Sequence, residues 1–269
     1  MKKRFSIAYF ITLLFALLAA GFRLWSLLAA VDEQGLPVTH LSTTLLIAAS
    51  ALFLLLALFL SFHSPGRSGR YQVLTYGTGG FLCSMTASIF ILVGSCVEFG
   101  EALLSGPSFT APIICLFGLL GGICCGLTAW LRRSSVRRSP VAELVPIVYL
   151  LIKLVLNFKT WSTDPIISDY CVILFALIFS LLAFYYGAGF VFNQGKPRRT
   201  LFSAMNAVFF CAAAIMDGII DLSPSTVITY AGFLLWQCPV IWDLLAPGGT
   251  DFVSPKAKRA MRRGSQKQP

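Results

Sequence analysis

Residues 141–158 read VAELVPIVYLLIKLVLNF, in which Glu143 and Lys153 are the only charges. A bilayer's hydrocarbon core is crossed by a helix of about 20 mostly apolar residues, and this stretch meets that requirement. The Lys153 ammonium stands alone among aliphatic neighbours. An unpaired charge at such depth costs about 3 kcal/mol or more, so the position demands a partner, an escape to the interface, or a function.

The flanks differ in sign. RRSSVRRS (132–139) precedes the stretch and KTWSTDPIISDY (159–170) follows it. Working outward, seven further apolar windows appear, giving spans near 5–30, 41–62, 78–99, 111–131, 141–158, 171–192, 200–221 and 225–246. The whole chain of 269 residues is 57% apolar and 12% charged, with mean hydropathy +0.80. A soluble domain carries about 25% charged residues. The expected fold is therefore an all-α polytopic transmembrane bundle of about eight helices, residues 1–250, followed by a basic tail, 251–269.

The charges fix the threading. Of the 21 Lys and Arg residues, 18 fall before the first span, in every second connection, or in the tail. The alternate connections, VDEQGLPVTH (31–40), EFGEALLSGPSFT (98–110), KTWSTDPIISDY and DLSPS (221–225), hold one lysine and several acids. Basic residues favour the cytoplasmic side, which places both termini there and requires an even number of spans. Lys2, Lys3 and Arg4 ahead of the first span imitate a signal peptide, but the apolar run is too long and seven spans follow, so a retained anchor is expected. The net charge of +10 thus reports topology, and no module for nucleic acid fits in the short loops.

The polar residues of the spans fall on single helix faces, stepping by three, by four or by their sum. The faces run Thr12, Ala16, Ala19, Arg23 and Ser26 in the first span; Ser84, Ser88, Ser95 and Glu98 in the third; and Glu143, Pro146, Leu150, Lys153 and Asn157 in the fifth. The seventh gives Ser203, Asn206, Phe210, Ala213 and Asp217, and the eighth Thr229, Gly232, Trp236 and Asp243. At 1.5 Å per residue, Arg23, Lys153 and Asp217 lie roughly two-thirds to four-fifths of the way to the outer surface. With Glu98 and Asn157 nearby in depth, they form a candidate intramembrane cluster. An ion pair, snorkelling of the lysine, or a ligand site would each account for Lys153.

Other features speak to packing. GLLGGICCGL (118–127) sets Gly118, Gly122 and Gly126 on one smooth face for close helix approach, with an internal partner the default and a homo- or hetero-oligomer the alternative. Pro146 and Pro239 should kink their helices, and tryptophans near span ends form a belt. In the tail, Lys256, Lys258, Arg259, Arg262 and Arg263 suit anionic headgroups, at about 1 kcal/mol per cation near the surface.

Catalytic machinery is lacking. His40 and His63 fall on opposite sides, neither a His-Glu-x-x-His nor a Gly-x-Ser-x-Gly motif occurs, and the eight cysteines show no zinc spacing. No cofactor or metal is expected, and cysteines inside apolar runs read as packing residues, with a Cys96–Cys171 disulfide the one speculative pairing. The expectation is a structural, interaction or assembly protein of the membrane, not an enzyme. A small-solute or ion permease with a polar site near Lys153 and Asp217 is the second reading.

RLWSLLAAVDEQGL (23–36) and LLAFYYGAGFVFNQGKPRR (181–199) resemble segments of uncharacterised multi-pass membrane proteins of anaerobic Gram-positive bacteria. The resemblance implies a bacterial cell-membrane location, no known activity or cofactor, and a structural role for Arg23 and Asp32 in tying a helix end to the first outer turn.

Overall fold

In lipid every backbone N–H and C=O must be satisfied within the protein, and a helix does this within one segment. The apolar windows accordingly fold as helices in the computed structural model, which describes residues 2–29, 40–63, 74, 77–105, 110–134, 139–161 and 167–245. These are α1 (Lys2–Ala29), α2 (His40–His63), α3 (Thr78–Ser105), α4 (Thr110–Ser134), α5 (Pro140–Trp161), α6 (Ile167–Ala188), α7 (Pro197–Ile220) and α8 (Pro224–Leu245). All eight are long and apolar enough to cross a membrane, and the chain is a multi-pass membrane protein of the all-α class. The basic tail, including Lys256 through Arg263, and Asp32 lie outside the described residues.

Several boundaries shift by three or more residues from the sequence reading, and two of them bear on the site. α3 runs on to Ser105, six residues past the expected end, which puts Glu98 and Glu101 on one helix. α6 stops at Ala188 instead of continuing to 192. Glycines at 187 and 189 weaken the helix there, and the chain then closes a turn. The Gln194 N–H donates to the Gly189 carbonyl (3.0 Å), and Asn193 takes the left-handed conformation (φ 57°) that asparagine tolerates.

α7 and α8 form the spine. α7 packs against α1, α2, α6 and α8; α8 packs against α1, α3, α6 and α7; α4 and α5 close the arc between α3 and α6. In α7, 78% of the apolar window is buried, against 22% in α2. Its run of alanines (Ala204, Ala207, Ala212, Ala213, Ala214) lets neighbours approach closely, so the most central helix is built from small residues. The Tyr9 ring meets Trp242 edge-on at 5.4 Å, which sets the start of α1 beside the end of α8 on one face of the bundle. Arg132, Arg133, Lys196, Arg198 and Arg199 belong to that same, basic face.

α3 is held on two sides. A Cβ added at Gly122 would sit 2.6 Å from Leu92 Cγ, and one at Gly126 2.9 Å from Ser88 Oγ, while Gly118 presses on Ser95. The glycine face of α4 thus receives α3 of the same chain, and Ser88 Oγ donates to the Gly122 carbonyl at 2.8 Å. On the other side, Gly94 abuts the backbone of Thr229, and Gly232 lies against the Ala87 carbonyl and Ile91. Pro146 and Pro239 sit within α5 and α8, and both helices continue through them.

Candidate functional site: buried ion pairs between helices

Each predicted polar face points inward. Arg23, Glu143, Lys153, Asn206, Asp217 and Thr229 are all buried. What their depth in the bundle requires is charge compensation, and three pairs supply it.

Arg23, near the end of α1, donates from Nε to Asp217 Oδ1 in the last turn of α7, at 2.6 Å. Both side chains are at least nine-tenths buried. Lys153 of α5 reaches Glu98 of α3, with Nζ 2.6 Å from Oε2. This pair is more open, for the Glu98 side chain keeps 23% exposure while Lys153 keeps 6%. The Lys153 ammonium also lies 6.0 Å from the Tyr149 ring centroid. Asn157, one turn on, is half-buried and belongs to neither pair.

The third pair lies toward the basic face. Arg132 Nη2 donates to both carboxylate oxygens of Glu143, at 2.9 and 3.0 Å, and Nε contacts Oε1 at 3.3 Å. Such a forked arrangement is the strong geometry for guanidinium and carboxylate. It joins α4 to α5 across an 11-residue separation, and the guanidinium also lies over Trp236 of α8 at 5.5 Å. The sequence reading assigned Arg132 to topology and Glu143 merely to a face. An acid on the side where nearly every other charge is basic was the available signal.

Tyr230 of α8 is buried, and its hydroxyl has no hydrogen-bond partner among the described residues. Ser95 Oγ stands 3.5 Å from the Tyr149 hydroxyl and donates more closely, at 2.8 Å, to the Ile91 carbonyl. The outer charges thus contact one another as Arg23 with Asp217 and Lys153 with Glu98.

Some of the remaining polar groups are satisfied by their own helices, whereas Ser84 Oγ, Thr229 Oγ1 and Gln237 Nε2 are buried with no hydrogen-bond partner among the described residues. Thr12 donates to the Ala8 carbonyl, Ser203 to Arg199 and Thr200, and the Asn206 amide to Phe202. This pattern lets a small polar residue sit within a span without a distant partner. Glu101 has a further role that the sequence hid. Its carboxylate accepts the Ser225 N–H (3.1 Å) and the Ser225 hydroxyl (2.5 Å), so an acid from α3 caps the start of α8.

All eight cysteines are free thiols, Cys96 and Cys171 among them. No group of three His, Cys, Asp or Glu side chains gathers among the described residues. No family model, curated protein or solved structure matches the chain.

Proposed function

We propose that this protein is a structural or assembly component of a bacterial cytoplasmic membrane, oriented with both termini in the cytoplasm, and that its intramembrane charges serve cohesion of the bundle. The observation that supports this reading is the direct contact, at 2.6 Å, of the two outer cations with acids from other helices. A charge so placed is neutralised by its neighbour and holds two helices in register. The positive-inside rule supports the orientation, because 18 of 21 basic residues lie on one side of the threading.

A solute screen on the purified protein tests it, with thermal unfolding measured for the wild type, Lys153→Met and Asp217→Asn. Cohesion predicts that both variants unfold at lower temperature and that no solute distinguishes them from the wild type. A solute that stabilises the wild type and neither variant would instead establish a permease site at these residues.

A further inference from the structure

The α6–α7 turn encloses a feature that the ion pairs leave unexplained. A partly open cavity of about 400 Å³ lies where the end of α6, the turn and the start of α7 meet α5. That size falls within the roughly 300–1,000 Å³ of small-ligand sites. Its lining separates by chemistry. Lys196 and Arg199 supply two cations, Tyr185, Tyr186 and Gln194 supply hydrogen-bonding groups, and Leu144 and Phe192 supply apolar wall. No carboxylate lines it.

Position sharpens the reading. The cavity opens at the basic end of the bundle, at the level where α6 and α7 leave the apolar zone. Tyr185, Phe192 and Leu144 are each about half exposed, although water is a poor neighbour for them and acyl chains a good one. Lys196, Arg198 and Arg199 are exposed as well. The turn itself is braced. The Gly189–Gln194 hydrogen bond closes it, and Gly195 lies against the Phe190 ring so closely that a Cβ there would come 2.5 Å from it. Lys196 is thus carried on a braced turn, and Arg199 on the first turn of α7.

We propose that this cavity is a binding site for the phosphate-bearing headgroup of one anionic phospholipid from the adjoining leaflet. Lys196 and Arg199 neutralise the phosphate, the tyrosines and Gln194 bond to phosphate and glycerol oxygens, and Phe192 and Leu144 guide the first carbons of the acyl chains. Charge complementarity and the joining of cationic floor to lipid-facing apolar rim favour a lipid over a soluble anion.

Native mass spectrometry of the full-length protein released from nanodiscs tests this, with phosphatidylglycerol, phosphatidylcholine and sodium phosphate compared. The wild type should retain phosphatidylglycerol in preference to phosphatidylcholine. Lys196→Gln with Arg199→Gln should weaken retention roughly 30-fold, at about fivefold per cation near an anionic surface. Replacing Lys256, Lys258, Arg259, Arg262 and Arg263 by glutamine should leave the retained molecule in place. Unfolding temperature in phosphatidylcholine nanodiscs verifies that the double variant is folded; should it not be, Arg199→Gln alone, with its fivefold loss, decides. Equal retention by wild type and variant, loss on neutralising the tail alone, or equal occupancy by sodium phosphate would each overturn the proposal.

Discussion

Arg23 and Asp217 meet at 2.6 Å across 194 residues of chain, an arginine near the end of the first helix held by an acid in the last turn of the seventh. The contact joins a peripheral helix to the central one, and it does so where the helices approach the acidic connections. Removing either partner takes from the other, at least nine-tenths buried, the opposite charge it contacts at 2.6 Å.

Asp217→Asn should therefore destabilise the protein by about 3 kcal/mol or more, the cost of stranding a buried charge. Arg23→Met together with Asp217→Asn should cost much less than the sum of the single changes, because neither charge then remains. Thermal unfolding of the four proteins in one detergent completes the double-mutant cycle. Additive losses would mean that the pair is not coupled.

The Lys153–Glu98 pair is more open, and its energetics should differ accordingly. Lys153→Met should destabilise less than Asp217→Asn, by about 1–2 kcal/mol, because Glu98 at 23% exposure can regain some hydration. The same cycle with Glu98→Gln measures it, and a loss larger than that of Asp217→Asn would contradict the ranking.

Much of this architecture was legible beforehand, for reasons that are local. A run such as VYLLIKLVLNF (148–158) identifies a span from composition alone, and alternation of basic and acidic connections threads the spans without knowledge of any contact. Helical periodicity assigned Arg23, Lys153 and Asp217 to inward faces, since each face needs only its own spacing. Pairing was not legible in the same way. Depth alone left Arg23 and Lys153 equally able to reach Asp217 or Glu98, and the choice depends on which helices are neighbours. Gly94 escaped notice, and Gly232 was assigned to a face without its packing role, for a related reason. A single glycine has no periodic signature, and its meaning appears only when the Thr229 and Ala87 backbones are seen against it.

Glu101 should behave as a helix cap supplied in trans. Glu101→Ala removes the acceptor for the Ser225 N–H and hydroxyl, and should cost about 1 kcal/mol with local fraying of α8. Hydrogen exchange resolved at residues 225–228 reads this directly. Unchanged protection there would show that the contact contributes nothing to the helix end.

Leu222 offers a gain instead of a loss. It adopts φ 51° just beyond α7, with its side chain 86% exposed, so its side chain contributes little packing. A left-handed conformation costs a residue with a Cβ about 1–2 kcal/mol, and glycine gives back part of that through greater freedom in the unfolded chain. Leu222→Gly should raise stability by about 0.5–1 kcal/mol. A lower unfolding temperature would show that the exposed leucine is held by something other than the backbone.

The helical glycines allow a comparison in which one substitution has opposite signs. At Gly232 an added methyl would lie 3.1 Å from the Ala87 carbonyl oxygen, and at Gly94 3.1 Å from the Thr229 nitrogen. Backbone atoms cannot rotate away as a side chain can, so relief requires moving α3 and α8 apart. Gly21 and Gly100 also lie within helices, but nothing stands within 4 Å of a Cβ there. Alanine at those two positions should stabilise by about 0.5–1 kcal/mol through helix propensity. Alanine at Gly94 or Gly232 should instead cost about 1–3 kcal/mol from overpacking. Because the chemical change is identical, shifts in unfolding temperature of opposite sign would isolate helix separation as the cause, and losses of equal size at all four sites would show that the close contacts between α3 and α8 do not govern stability.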